Sequence, residues 1–243
     1  MLKQKAAAGL SAEKDEIDRL NGMLEGLYFR DKETIRFEVL SEIHVEEAAI
    51  LFSNVFVTRE VLASCLNITM VEMLPVSQAL CNLCALNKLS WIAKVNDEIV
   101  GVCLCDRLSS EKLKECPALT RLEEGMKRNP RIAPIFEFLD EIDESMLESM
   151  EAVDKNHRTL HIIAAAVRED FAGHSISSML AYKSIQHAQD SDLAIQYVAQ
   201  EATGSASQYI LRRSLGDSPC VSRIVKYDEW SPSSSSSSSS KPF

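Results

Sequence analysis

The sequence predicts an α/β domain built on one mixed sheet, and three stretches carry that prediction. Thr34–Leu40 alternates apolar and polar residues, as a half-buried strand does. Ser90–Val95 and Glu98–Cys105 are apolar runs joined only by Asn96-Asp97, a pair that tolerates the left-handed backbone of a tight hairpin. Thr159–Val167 reads as a buried strand that runs through a turn of small residues into an amphipathic helix ending near His187.

The remaining elements fall between these. Glu46–Phe56 has helical spacing, a second helical piece follows from Arg59, and Pro75–Leu86 reads as another helix. Residues 109–157 are charged and helical in pattern, and are broken by Pro117, Pro130 and Pro134. Their length suits an inserted helical wall better than a structureless loop. After the helix at His187 come a strand, Leu193–Gln200, a helix from Ser205 to Leu215, and a last strand, Cys220–Tyr227. The phosphate-turn candidate follows the fourth strand, not the first, and there is no GxGxxG, so the chain is not a doubly wound dinucleotide fold.

The 243 residues are 46% hydrophobic and 26% charged, which suits one globular domain with extensions. Residues 1–33 form an N-terminal extension whose Ile17, Leu20, Met23, Leu24 and Leu27 make a narrow helical stripe, a candidate surface for oligomerisation. Residues 34–230 form the domain, and the Ser-rich tail 231–243 is expected to be disordered.

A net charge of −10 argues against nucleic acid and mildly favours cationic small molecules. No apolar run reaches the length of a membrane span, and the start lacks the apolar core of a signal peptide. The expectation is a cytoplasmic protein with no membrane partner. Most of the seven cysteines sit among apolar neighbours, as free thiols do. Cys81-Asn-Leu-Cys84 has metal-ligand spacing, but no second Cys or His pair accompanies it, so no metal is expected.

The turn after Val167 has two readings. A helix N-terminus offers free N–H groups and partial positive charge, and small residues at Ala172, Gly173, Ser175 and Ser177 would let a pyrophosphate reach them. Gly, Ser and Ala are equally at home in an ordinary strand-to-helix connection.

The order of elements, and four local matches, resemble the GNAT N-acetyltransferases, in particular their arylalkylamine and dopamine N-acetyltransferase-like branch. Val167-Arg-Glu-Asp-Phe-Ala-Gly-His-Ser-Ile-Ser177 is similar to V-x-P-x-Y-(R/Q)-G-x-G-I-G, with Ala172 at the Arg or Gln position and Ser175 and Ser177 at glycine positions. Glu201-Ala-Thr-Gly-Ser-Ala-Ser-Gln208 resembles E-A-T-S-x-x-S-Q. Leu215-Gly-Asp217 with Ile224-Val-Lys-Tyr-Asp-Glu-Trp230 resembles L-G-F followed by I-x-Y-x-(D/E), and Phe56-Val-Thr-Arg-Glu60 resembles F-x-x-x-E-P-L, with Val61 in place of the Pro.

The resemblance implies a mixed, mostly antiparallel twisted sheet flanked by helices, with the helical insert between strands 3 and 4. It implies an acyltransferase that passes the acetyl group of acetyl-CoA, a cosubstrate, directly to a small arylalkylamine or other cationic amine. Ala165, Ala166 and Val167 would lie along the coenzyme's arm. Ala172, Gly173, His174, Ser175, Ile176, Ser177 and Ser178 would form its pyrophosphate turn, with looser binding where serines replace glycines.

Three catalytic candidates follow from the same resemblance. Glu60 matches the base, His161 a proton-relaying strand histidine, and Ser207 a serine near the coenzyme sulfur. Each has an ordinary structural reading as well: a helix-start glutamate, a hydrogen-bonded core histidine and a helix-start serine. Two further readings of the whole chain stand beside the enzyme: a non-catalytic GNAT-fold binding protein, and a peptide or protein N-acetyltransferase.

Overall fold

The computed structural model describes residues 34–108, 129–151, 154–156, 158–205 and 207–209. Their framework is a five-stranded sheet in the order β1 (Arg36–Val39), β2 (Trp91–Val95), β3 (Glu98–Arg107), β4 (Thr159–Val167), β5 (Tyr197–Gln200). The first four strands are antiparallel to their neighbours, and β5 alone runs parallel to β4. That switch is what a helical crossover between β4 and β5 requires.

The hairpin between β2 and β3 forms as its turn residues predict. Asn96 and Asp97 both take left-handed backbone, with φ of 48° and 67°, the two-residue turn whose twist matches that of the flanking strands. The centre of β3, from Ile99 to Cys105, is buried throughout, because helices cover both of its faces.

One face carries α1 (Val45–Arg59), the short α2 (Val61–Cys65), α3 (Met70–Asn87) and α4 (Ala133–Glu151). Their apolar residues, among them Phe52, Leu62, Met73 and Phe138, share a core with Val102 and Leu104 of the sheet. The two long helices α1 and α3 are also joined by a buried hydrogen bond of 2.8 Å from the Ser53 hydroxyl to Ser77. The other face carries α5 (Ile176–Asp190), whose Ile176, Leu180 and Ala188 pack on Val100, Cys103 and Ile162.

Several boundaries move from their sequence expectation. The helix read from Pro75 begins at Met70, where Thr69 and Glu72 cap it reciprocally, and Pro75 is accommodated inside its second turn. The strand read from Leu193 begins only at Tyr197. Its apolar alternation is real, but Ala194 takes a left-handed φ of 49°, and Leu193 and Ile195 tuck under the sheet as the turn leaving α5. The helical insert is present as α4, with Ile135 and Phe138 almost fully buried. The N-terminal helix, the rest of the insert, the end of the helix from Ser205, the last strand and the Ser-rich tail lie outside the described residues.

Cys81 and Cys84 lie buried in α3, and burial pushes the Cys81 thiol up to about 12. Among the described residues no three His, Cys, Asp or Glu side chains converge as a metal set, and no helix is long and apolar enough to cross a membrane.

Candidate active site

Two interruptions of the sheet coincide at one residue. The pairing of β3 with β4 passes from Leu104↔Ala164 to Cys105↔Ile162, so Ile163 is an extra residue on β4. The parallel ladder with β5 ends at Ile162↔Gln200. From Ile163 to Val167, therefore, β4 continues beyond β5 with no partner strand on that side among the described residues. Ala165, on this edge, is exposed, whereas the side chain of Ala166 (3% exposed) belongs to the core.

This edge leads directly into the turn. Arg168 hydrogen-bonds through its backbone N–H to Val100 O, a short helical turn spans Glu169–Phe171, and α5 starts at Ile176. Gly173 has a φ of +81°, and a Cβ there would meet nothing within 4 Å, so backbone conformation and not space calls for glycine. Ser175 takes φ 58° without being glycine, and its side chain makes no cap bond to the first turn of α5. The side chain of Ile176 is buried beneath the helix, so its part in any anion cradle is through its N–H. His174 Nδ1 lies 3.3 Å from Phe171 O and donates to it.

Charge on the turn is arranged as a clasp. The Arg168 guanidinium donates to Asp170 (2.8 Å) and Glu98 (3.0 Å) and lies over the Phe171 ring. Its bond to Asp170 holds it firmly protonated, above its ordinary range. Arg59, at the end of α1, pairs with Glu169 at 3.1 Å.

The three catalytic candidates meet on the chain that leaves β5. Glu60 breaks the helix between α1 and α2 with an extended backbone, then caps α2 by accepting from Leu62 N at 3.4 Å. Its other oxygen accepts a 2.6 Å hydrogen bond from the Thr203 hydroxyl. His161, on β4, has its Nε2 2.7 Å from Glu201 Oε2, and both side chains are largely enclosed, at 12% and 7% exposed. Ser207 accepts from Gly204 N (3.2 Å) and donates to Gly204 O (2.8 Å), closing the first turn of the helix that begins at Ser205. Residues 201–207 thus touch the α1–α2 junction and β4 at once.

Sequence reasoning singled out Glu60, His161 and Ser207 but passed over Glu201 and Thr203. The available signal was their position, two polar residues immediately after a strand entering a polar-capped helix. The ordinary structural roles are also visible here, since Glu60 caps a helix and Ser207 closes a turn. Chemically, the arrangement ties a carboxylate, an imidazole and a hydroxyl to one short segment that leaves β5 where its pairing with β4 ends.

No family model matches the chain, and no curated protein matches its sequence. Solved structures do match. The arylalkylamine N-acetyltransferase 2 of Aedes aegypti is similar over 75% of this chain and 82% of its own, with a TM-score of 0.56 at 24% identity. An apo agmatine N-acetyltransferase is similar over 74% of this chain and 81% of its own (TM-score 0.53, 15% identity). The C-terminal condensation domain of Ebony, solved with beta-alanyl-dopamine, is similar over 75% and 82% (TM-score 0.52, 14% identity). At these identities the likeness establishes the architecture: the chain has the GNAT fold that these amine N-acetyltransferases share.

Proposed function

We propose that the protein is an N-acetyltransferase that passes an acetyl group from acetyl-CoA directly to a small amine, with an arylalkylamine as the first candidate. The observation that carries this reading is that Glu60, His161 and Ser207 are tied together through residues 201–207, the segment that leaves β5 where its pairing with β4 ends. Exposed Ala165 and the backbone of Ala166 and Val167 fit a long, narrow ligand lying along the edge of β4 as an additional strand would. The backbone N–H groups of Gly173–Ser178, with no Ser175 side-chain cap in competition, fit its pyrophosphate.

When bound, the coenzyme supplies an activated thioester carbonyl. The chain's residues then have three tasks. Glu60 takes the proton from the attacking nitrogen as the N–C bond forms. His161 carries a proton to or from the same side, and its Nδ1 is the basic nitrogen when Nε2 donates to Glu201. Ser207 stands on the leaving-group side and delivers a proton to the thiolate as the C–S bond breaks. An N–H on the β4 edge stabilises the negative charge that gathers on the carbonyl oxygen. The acidic surface, net −10 over the chain, draws cationic amines.

A second reading, a non-catalytic GNAT-fold binding protein, is favoured by one observation: Ser175 holds the left-handed backbone without glycine, and Ala172 offers no polar side chain to the turn. Calorimetric titration with acetyl-CoA separates the two. Binding followed by turnover on a panel of arylalkylamines, agmatine and peptides supports the enzyme. Glu60→Ala and Ser207→Ala should each lower kcat. No binding at millimolar coenzyme sinks the enzyme reading, and acetylation of peptides alone moves the acceptor class.

A further inference from the structure

We infer that Glu201 and Thr203 are positioning residues, a two-toothed clamp that fixes the side chains of His161 and Glu60 relative to one another. The inference rests on the catalytic roles proposed for Glu60 and His161, and goes beyond them to two residues with no chemistry of their own. Glu60 sits on the α1–α2 junction, and its carboxylate rotates about three single bonds. Its α2 cap holds Oε1 through one long contact of 3.4 Å. The 2.6 Å bond from the Thr203 hydroxyl to Oε2 is the short, charge-assisted one, and it arrives from the segment that follows β5.

His161 is held in the same way. A carboxylate only accepts, so Glu201 Oε2 fixes the proton on His161 Nε2 and turns the ring's basic Nδ1 to a defined direction. The two teeth are separated by one residue, Ala202, on a chain whose ends are anchored by β5 on one side and the Gly204–Ser207 turn on the other. Base and imidazole therefore share one rigid ruler, although they lie on different elements of the fold. Positional errors of the order such a ruler prevents are costly in amine transfer, where nitrogen, base and carbonyl must align together.

Two variants of the full-length protein test the first tooth. Thr203→Val removes the donor at nearly constant shape, and Thr203→Ser keeps it. With acetyl-CoA and the best amine of the panel, Thr203→Val should lower kcat about tenfold, with coenzyme affinity unchanged by calorimetry, and Thr203→Ser should restore it. Independently of turnover, the 13C resonance of the Glu60 carboxyl, assigned by its loss in Glu60→Gln, should move in Thr203→Val and stay in Thr203→Ser.

The imidazole 15N spectrum tests the second tooth. His161 should carry its proton on Nε2 in the wild type and lose that preference in Glu201→Gln. Wild-type kcat in Thr203→Val, an unmoved Glu60 resonance, or a bare Nε2 on His161 overturns the clamp. If the wild type turns over no amine, the enzyme reading falls, and the two spectra still decide whether the clamp exists.

Discussion

Gly101 of β3 lies beneath Ile176, the first residue of α5: a Cβ at position 101 would stand 3.0 Å from Ile176 Cγ2 and 3.1 Å from Leu180 Cδ1. Both neighbours are fully enclosed, so neither can swing away. Gly101→Ala should lift the start of α5 off the sheet and destabilise the protein by about 1–3 kcal/mol, measured by urea denaturation. Because α5 begins at the proposed pyrophosphate turn, the same variant should bind acetyl-CoA more weakly than its loss of stability explains. Unchanged affinity in the folded variant would separate the turn from that contact.

Ser175 offers the opposite experiment. A non-glycine residue at φ 58° is held against a local cost of about 1 kcal/mol. Ser175→Gly should raise the Tm by a few degrees and tighten coenzyme binding, read by thermal shift with and without acetyl-CoA. A lower Tm would mean that the serine side chain contributes more than its backbone strain removes.

The start of α3 carries a pH dependence. Glu72 of α3 accepts from the Thr69 hydroxyl (2.6 Å) and Thr69 N (2.8 Å) and pairs with Arg131 (2.9 Å), just ahead of α4. The Thr69 hydroxyl first, then its backbone N–H and the Arg131 charge, holds the Glu72 carboxyl below its ordinary range. A depressed carboxylate stabilises the fold above its unfolded value, near 4.5, and that contribution disappears as pH falls below it. The Tm difference between wild type and Glu72→Gln should therefore shrink from pH 6 toward acid. A difference that stays constant across that range would remove Glu72 from the acid response.

The thiols should divide by position. Cys65 is exposed at the end of α2, while Cys81, Cys84 and Cys105 are buried, and burial raises each of the three above the ordinary thiol range. At pH 8, peptide mapping after iodoacetamide should find Cys65 modified in the folded protein and the other three only after denaturation. Native labelling of Cys84 would show that α3 opens to solvent, and native labelling of Cys105 that β3 does.

What was legible in the sequence follows the reach of each signal. The Asn96-Asp97 hairpin, the β4–turn–α5 unit and the described part of the helical insert, α4, are specified by neighbours along the chain, and the structure has them where the residues put them. The bulge at Ile163 left no mark, since an isoleucine suits any buried strand and the skip lies in how β3 pairs, not in what β4 contains. Glu201 and Thr203 were hidden for a related reason. Both fall in the E-A-T-S-x-x-S-Q match, but their partners lie 40 and 143 residues away, and the motif does not say what either side chain touches. Leu193–Gln196 misled in the other direction, because an alternating apolar stretch serves a buried turn as well as a strand.

Glu201 and Thr203 are next but one in the chain, and that spacing makes the connection after β5 sensitive to parity. In an extended segment, alternate side chains share a side, so inserting or deleting a single residue between Gln200 and Gly204 would send one of the two polar groups toward the opposite side. Engineered changes of length here should therefore be tolerated in even steps and not in odd ones, even though the segment is outwardly an ordinary loop. A library of one- and two-residue insertions at Ala202 would read this as alternating loss and recovery of function, a pattern that a flexible connector does not produce.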